Sequence, residues 1–148
     1  MGVMASIQWT IYPYQNSMIS VIQLMLAHGW TINDHGKMGF LPIHDNDMYN
    51  WQWEAINIDT LMEILREKEK FKEPLGVLIT WKDSNIGGSL ITYSMDEICL
   101  FITINRQVIQ LREGLSMTDA NWYLERIKPI FISGNGITIS SIKFSEIF

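Results

Sequence analysis

The chain has 148 residues, a length for one domain rather than two. Its residues are 47% hydrophobic and 18% charged, against roughly 25% charged in an average soluble domain, so it can bury a sizeable core and intrinsic disorder is excluded. Eleven Lys and Arg against sixteen Asp and Glu leave a formal charge of −5, the wrong balance for a phosphate-backbone binder, and one cysteine excludes an internal disulfide and a Cys-based zinc site.

The start has no basic n-region and no apolar run of signal-peptide length. Met1-Gly2-Val3-Met4-Ala5-Ser6 fits the loose myristoylation pattern, but that pattern is short and common, and the segment reads as an ordinary start before a first strand. The longest apolar stretches, such as Ile98 to Ile102, fall far below the roughly 18 residues that span a bilayer. No N-x-[ST] sequon occurs. A soluble cytoplasmic protein is expected, with no membrane partner.

Alternation over Ser6 to Tyr12 predicts a strand ended by Pro13. Met18, Val21, Ile22, Met25 and Leu26 recur at helical spacing, which predicts a helix over Ser17 to His28, capped by Asn16 or Ser17 and closed by Gly29. Trp30 to Asn57 has no clear period, with short strands expected at Thr31 to Asn33 and Met38 to Ile43. Leu61, Ile64, Leu65 and Phe71 predict a second helix over Thr60 to Lys72, with Asp59 as N-cap and Pro74 as its stop. Its Glu and Lys/Arg pairs three apart read as a solvated face.

Strands follow. Leu75 to Lys82 alternates, the Asp83 to Gly88 segment carries turn chemistry, and Ser89 to Ser94 should return antiparallel. After a turn at Met95-Asp96, Glu97 to Ile104 is apolar on both faces, as in the middle of a covered sheet. Asn105-Arg106 turns into a strand over Gln107 to Arg112. A third helix is expected over Asp119 to Phe131, capped by Ser116 or Thr118 and ended or bent by Pro129. Gly134-Asn135-Gly136 makes a loop before a last strand, Ile137 to Phe144. The expected fold is a single α+β domain over 1–148, an antiparallel sheet of about five to six strands with about three helices on one side.

Chemistry is sparse. His28 falls in the last turn of the first helix, where it suits the helix dipole. His35 and His44 lie near Asp34, Asp45 and Asp47, residue types that ligate metals, yet the spacings match no ligand motif and Asp45-Asn46-Asp47 lacks the EF-hand Gly and Glu. Cys99, within Ile98-Cys99-Leu100-Phe101, reads as a small buried hydrophobe. There is no G-x-S-x-G, P-loop or G-x-G-x-x-G. No catalytic residue, metal site or cofactor is assigned.

The aromatic residues carry more information. Tyr49, Trp51 and Trp53 alternate beside Asp45, Asp47 and Glu54, and as a strand they would share one face. That face either packs on the core or binds a protein, since Trp and Tyr dominate interface hot spots and acids steer a basic partner. Asp45, Asp47, Tyr49, Trp51, Trp53 and Glu54 are the candidate partner-binding residues. Single-stranded nucleic acid also stacks on aromatics, but it needs a basic groove.

Trp81-Lys82-Asp83, then Gly87-Gly88, a buried strand ending in Asn105-Arg106, then Asp119-Ala120-Asn121-Trp122-Tyr123-Leu124, and a closing strand with Ser145-Glu146 form a pattern. It resembles bacterial immunity proteins of contact-dependent growth inhibition and related polymorphic toxin systems. The likeness covers Leu75 to Phe148. It implies a small cytoplasmic protein that binds one cognate toxin domain, such as a basic nuclease, and blocks its active site or substrate face without chemistry of its own. The alternative is a small ligand- or metal-binding enzyme or sensor using His35, His44 and nearby acids. A third reading is a subunit of a larger assembly with the Trp face as its homomeric contact.

Overall fold

Alternation over the first strand is realised in full: Ala5, Ile7, Trp9 and Ile11 are buried while Ser6, Gln8 and Thr10 are half-buried on the other side. A computed structural model describes residues 4–12, 17–33, 35–45, 48–94, 96–132 and 139–148. Met1 to Val3, Pro13, Asn16, Asp34, Asp47, Met95 and the Gly134-Asn135-Gly136 loop lie outside the described residues. The elements in chain order are β1 (Met4–Ile11), α1 (Met18–Ala27), β2 (Trp30–Thr31), β3 (Met38–Phe40), β4 (Gln52–Glu54), α2 (Ile58–Lys70) and β5 (Leu75–Trp81). Then come β6 (Gly87–Thr92), β7 (Glu97–Ile104), β8 (Val108–Arg112), β9 (Leu115–Thr118), α3 (Ala120–Ile132) and β10 (Ile139–Ile147).

The fold is α+β, with eight strands in one antiparallel sheet ordered β10-β1-β7-β6-β5-β3-β4, and β2 also paired to β5. A separate hairpin joins β8 to β9. The expected five to six strands are thus too few. β2, β3 and β4 are two or three residues long, too short to show a period. β2 and β3 exist because β5 offers them an edge, Trp30 pairing with Trp81 and Phe40 with Val77, and β4 adds to β3 in turn. Ser116 and Thr118, expected as helix caps, lie in β9, which Gly114, at φ 76, folds back on β8.

Local chemistry sets the helix ends. Ser17 caps α1, its hydroxyl accepting from Ser20 N–H at 3.2 Å, and Gly29 takes φ 104 beyond the end. Asn57, not Asp59, caps α2: its side-chain oxygen accepts from Thr60 N–H at 2.8 Å, and Asp59 sits in the first turn. Asp119, rather than Ser116 or Thr118, caps α3 through Trp122 N–H at 3.2 Å. Pro129 stays inside α3, which runs on to Ile132. No helix among the described residues is long and apolar enough to cross a membrane.

All three helices pack on one face of the sheet. Ile22, Met25, Leu61, Leu65, Tyr123 and Ile127 share a core with Ile7, Trp9, Val77, Leu90 and Leu100. Leu41, Leu78, Ile91 and Cys99 are buried outside that core, and strand alternation puts the last three on the opposite face. Two glycines let that second layer close. A Cβ on Gly39 would strike the Leu78 side chain, and one on Gly76 would meet Leu41 at 2.6 Å and Trp51 at 3.0 Å. Gly87 and Gly88, expected in a turn, begin β6; a Cβ there would overlap the carbonyl oxygens of Ile79 and Phe101.

Candidate functional site

The helix-free face of the sheet is where the candidate aromatic residues collect. Its floor follows from strand register: Ser6 stands opposite Phe101, which stands opposite Ser89, and Gln8, Cys99 and Ile91 form the adjacent row. Small residues flanking Phe101 leave a hollow beside it. The result is a groove of about 630 Å³ whose walls include Met4, Tyr49, Trp51, Ile91, Tyr93 and Phe101.

Asp45 organises the loop that carries the wall. It is only 7% exposed, and its two carboxylate oxygens accept from Tyr49 N–H at 2.7 Å and Asn50 N–H at 3.0 Å. Its own N–H donates to Glu73 Oε1 at 3.1 Å. Lys68, 1% exposed, reaches up from α2 to donate to the Pro42 carbonyl at 2.6 Å and lies 3.6 Å from Glu73. Asp45 is therefore a loop cap that offers little charge to solvent. Asp47 lies outside the described residues, and Glu54 is exposed on β4.

The three aromatics do not form one strand. Tyr49 takes φ 53, Trp51 N–H donates to the Tyr49 carbonyl at 3.1 Å, and the strand begins only at Gln52. Tyr49 is 41% exposed and Trp53 47%. Trp51 is half-buried, its ring lying against the bare backbone of Gly76. Tyr49 and Trp51 wall the groove, while Trp53 stands on β4 opposite Gly39.

Titration at this face is suppressed. Burial pushes the Tyr93 phenol up to about 12, with Cys99, Tyr49 and Glu97 adding to it. Burial likewise pushes the Cys99 thiol up to about 11, against a hydrogen bond from Ser6. Cys99 is thus a neutral thiol near pH 7, which is not the nucleophilic form.

The histidines are dispersed. The His28 Nδ1 lies 2.9 Å from the Leu24 carbonyl at the end of α1. His35 is exposed at φ 53 in the turn before β3. His44 packs on Phe71 with ring centroids 4.9 Å apart, and its Nδ1 is 3.7 Å from Glu73. Among the described residues no group of three or more His, Cys, Asp or Glu could hold a metal ion.

Sequence reasoning missed two features. One is the second half of the β8–β9 hairpin: β8 was expected as a strand, but its return through Gly114 into β9 was not, nor that the hairpin would expose Val108, Ile109 and Leu111. The other is a clamp beneath it. Glu146 accepts from Thr118 N–H at 3.0 and 3.1 Å, from the Thr118 hydroxyl at 2.8 Å and from Arg106 at 3.1 Å. The Tyr123 hydroxyl accepts from Gln107 N–H at 2.9 Å beside it. Asn105 donates to the Asn85 carbonyl at 2.7 Å. Asn105-Arg106, Tyr123 and Glu146, distant in sequence, thus meet to anchor the hairpin and α3.

Trp81 and Trp122 join another packed group. Both meet Trp30 edge-on at 5.4 and 6.5 Å, and Arg126 lies 3.9 Å over Trp122. Comparison with protein families, with curated proteins and with solved structures finds no match. The functional reading therefore rests on residues and their geometry.

Proposed function

We propose that the chain is an immunity protein that binds a cognate bacterial toxin domain and neutralises it stoichiometrically, by covering the active site or substrate face. The observation that carries this reading is the rim of Tyr49, Trp51 and Trp53 on the sheet face that no helix covers; Glu54, next along β4, alternates to the other face, near Ile64 of α2. Half-exposed aromatics on a braced loop give large contact area for little ordering entropy. Asp45 and Lys68 are the brace, Asp45 acting as a positioning residue; Tyr49, Trp51 and Trp53 make the contacts, and Glu54 and Asp47 add acidic charge that steers a basic partner. The −5 charge favours a basic partner, such as a nuclease domain, by raising the encounter rate. No cofactor, nucleic acid or membrane takes part, and the protein acts in the cytoplasm without catalysis.

Growth rescue tests the reading. Co-expression with a candidate toxin domain from a neighbouring gene is expected to protect cells. A Tyr49→Ala/Trp53→Ala double variant that remains folded is expected to lose that protection. Full protection by the double variant would remove this face from the interface, and no protection by the native chain would remove the function.

A further inference from the structure

The groove on the helix-free face has the size and chemistry of a ligand site in its own right. Its volume of about 630 Å³ lies within the roughly 300–1,000 Å³ of small-molecule pockets. Tyr49, Trp51 and Tyr93 stand around a floor of Ile91 and Phe101, surfaces that favour a flat apolar body. The Ser89 and Thr103 hydroxyls, 3.4 Å apart, provide a polar point in the lining.

Charge and backbone narrow the occupant. No charged side chain is among the described lining residues, so an ionic ligand would lose water without gaining a counter-charge. The nearby acid Glu97 is engaged by the Gln8 amide at 3.0 Å. Tyr93 keeps its proton up to about pH 12 and so stays a neutral donor. β1, β7 and β6 are each paired on both sides, which leaves the floor no free strand edge to which an extended peptide could add.

We propose that this groove binds a neutral, flat, largely apolar small molecule, an aromatic or polycyclic compound whose polar atoms are uncharged hydroxyl or carbonyl oxygens. Tyr49 and Trp51 belong both to this groove and to the proposed toxin face, but the proposal does not rest on toxin binding and its test needs no toxin.

The test uses the full chain and two dyes that differ by one sulfonate, N-phenyl-1-naphthylamine and 1-anilinonaphthalene-8-sulfonate, followed by their fluorescence. The neutral dye is expected to bind at one site, and the anionic dye at least about tenfold more weakly. Ser89→Phe and Thr103→Phe, which fill the groove from strand positions, are each expected to weaken the neutral dye at least about tenfold. Ile142→Lys, in the smaller depression between α3 and β10, is expected to leave it unchanged. Backbone amide shifts of the native chain on dye addition are expected at Ile91, Phe101 and Thr103, an answer that depends on no variant.

Equal or tighter binding of the anionic dye would overturn the proposal. So would indifference to both filling variants with amide shifts elsewhere, or loss of binding in Ile142→Lys. Dye binding that weakens as protein concentration rises, with a dimer by light scattering, would assign the groove to a second copy. No dye binding, with toxin capture lost in the filling variants, would assign it to a polypeptide. Either result would overturn the small-molecule site.

Discussion

Glu146→Ala should destabilise the protein through one identifiable network. The Glu146 side chain is 5% exposed and its Arg106 partner 23%. Removing the carboxylate orphans the N–H of fully buried Thr118, which costs about 1–3 kcal/mol. It also strips Arg106 of its counter-charge, and breaking a buried pair costs about 3–5 kcal/mol. Arg106 is partly exposed and regains water, so about 3 kcal/mol in total is expected. Arg106→Met leaves the carboxylate its Thr118 donors and should cost about 2 kcal/mol. The double variant should fall short of the sum by about 1–2 kcal/mol, because the second change removes a group already without its partner. Urea unfolding followed by tryptophan fluorescence measures all four proteins, with hydrogen exchange over residues 106–118 reporting where the loosening lies. Additivity within about 0.5 kcal/mol, or a Glu146→Ala cost below about 1 kcal/mol, would refute the clamp.

Gly88→Ala places a methyl against the Phe101 carbonyl and should cost about 3 kcal/mol, whereas Gly114→Ala meets open space and pays only for φ 76, about 1 kcal/mol; thermal melts rank the two. The folded chain holds the Cys99 proton more tightly than the unfolded chain, so stability is intact below pH 9.0 and falls as pH rises towards about 11. At pH 10 the Cys99 contribution is down by about 1 kcal/mol, a loss that urea titrations at pH 7.5 and 10 should find smaller by that amount in Cys99→Ala. Trp53→Ala should change stability by at most about 1 kcal/mol and Trp51→Ala by about 2–3 kcal/mol, while both weaken capture of the partner by at least about tenfold. Binding assays on the folded variants separate the contact role from the packing role.

Long periodic elements were legible. The bounds of β7 agree with expectation because Glu97 to Ile104 is apolar on both faces, and β7 does lie between β1 and β6. Ser17 and Gly29 marked both ends of α1 for reasons local to those residues. Where the reading failed, the cause lay at a distance. The short strand expected at Thr31 to Asn33 falls at Trp30-Thr31 instead, because the pairing that fixes it comes from Trp81 and Thr80 across the sheet. Gly87-Gly88 has turn composition, yet its reason is the carbonyls packed against it.

The candidate site was legible only as composition. Tyr49, Trp51 and Trp53 stood out, but the groove also needs Met4 from β1, Ile91 from β6 and Phe101 from β7. Asp45 looked like a steering acid because its acceptors for Tyr49 and Asn50 N–H depend on a loop path that spacing does not reveal. Arg106 and Glu146 drew notice through resemblance, and folding across forty residues turns them into an ion pair.

Affinity capture of the tagged full chain from its native cells, followed by titration of the captured partner's activity, tests the toxin-neutralising role most directly. A stoichiometric partner ending in a small toxin domain is expected, its activity abolished at one equivalent of the chain. Recovery of the chain alone while its neighbouring genes are expressed, or a partner still active in excess chain, would contradict the role.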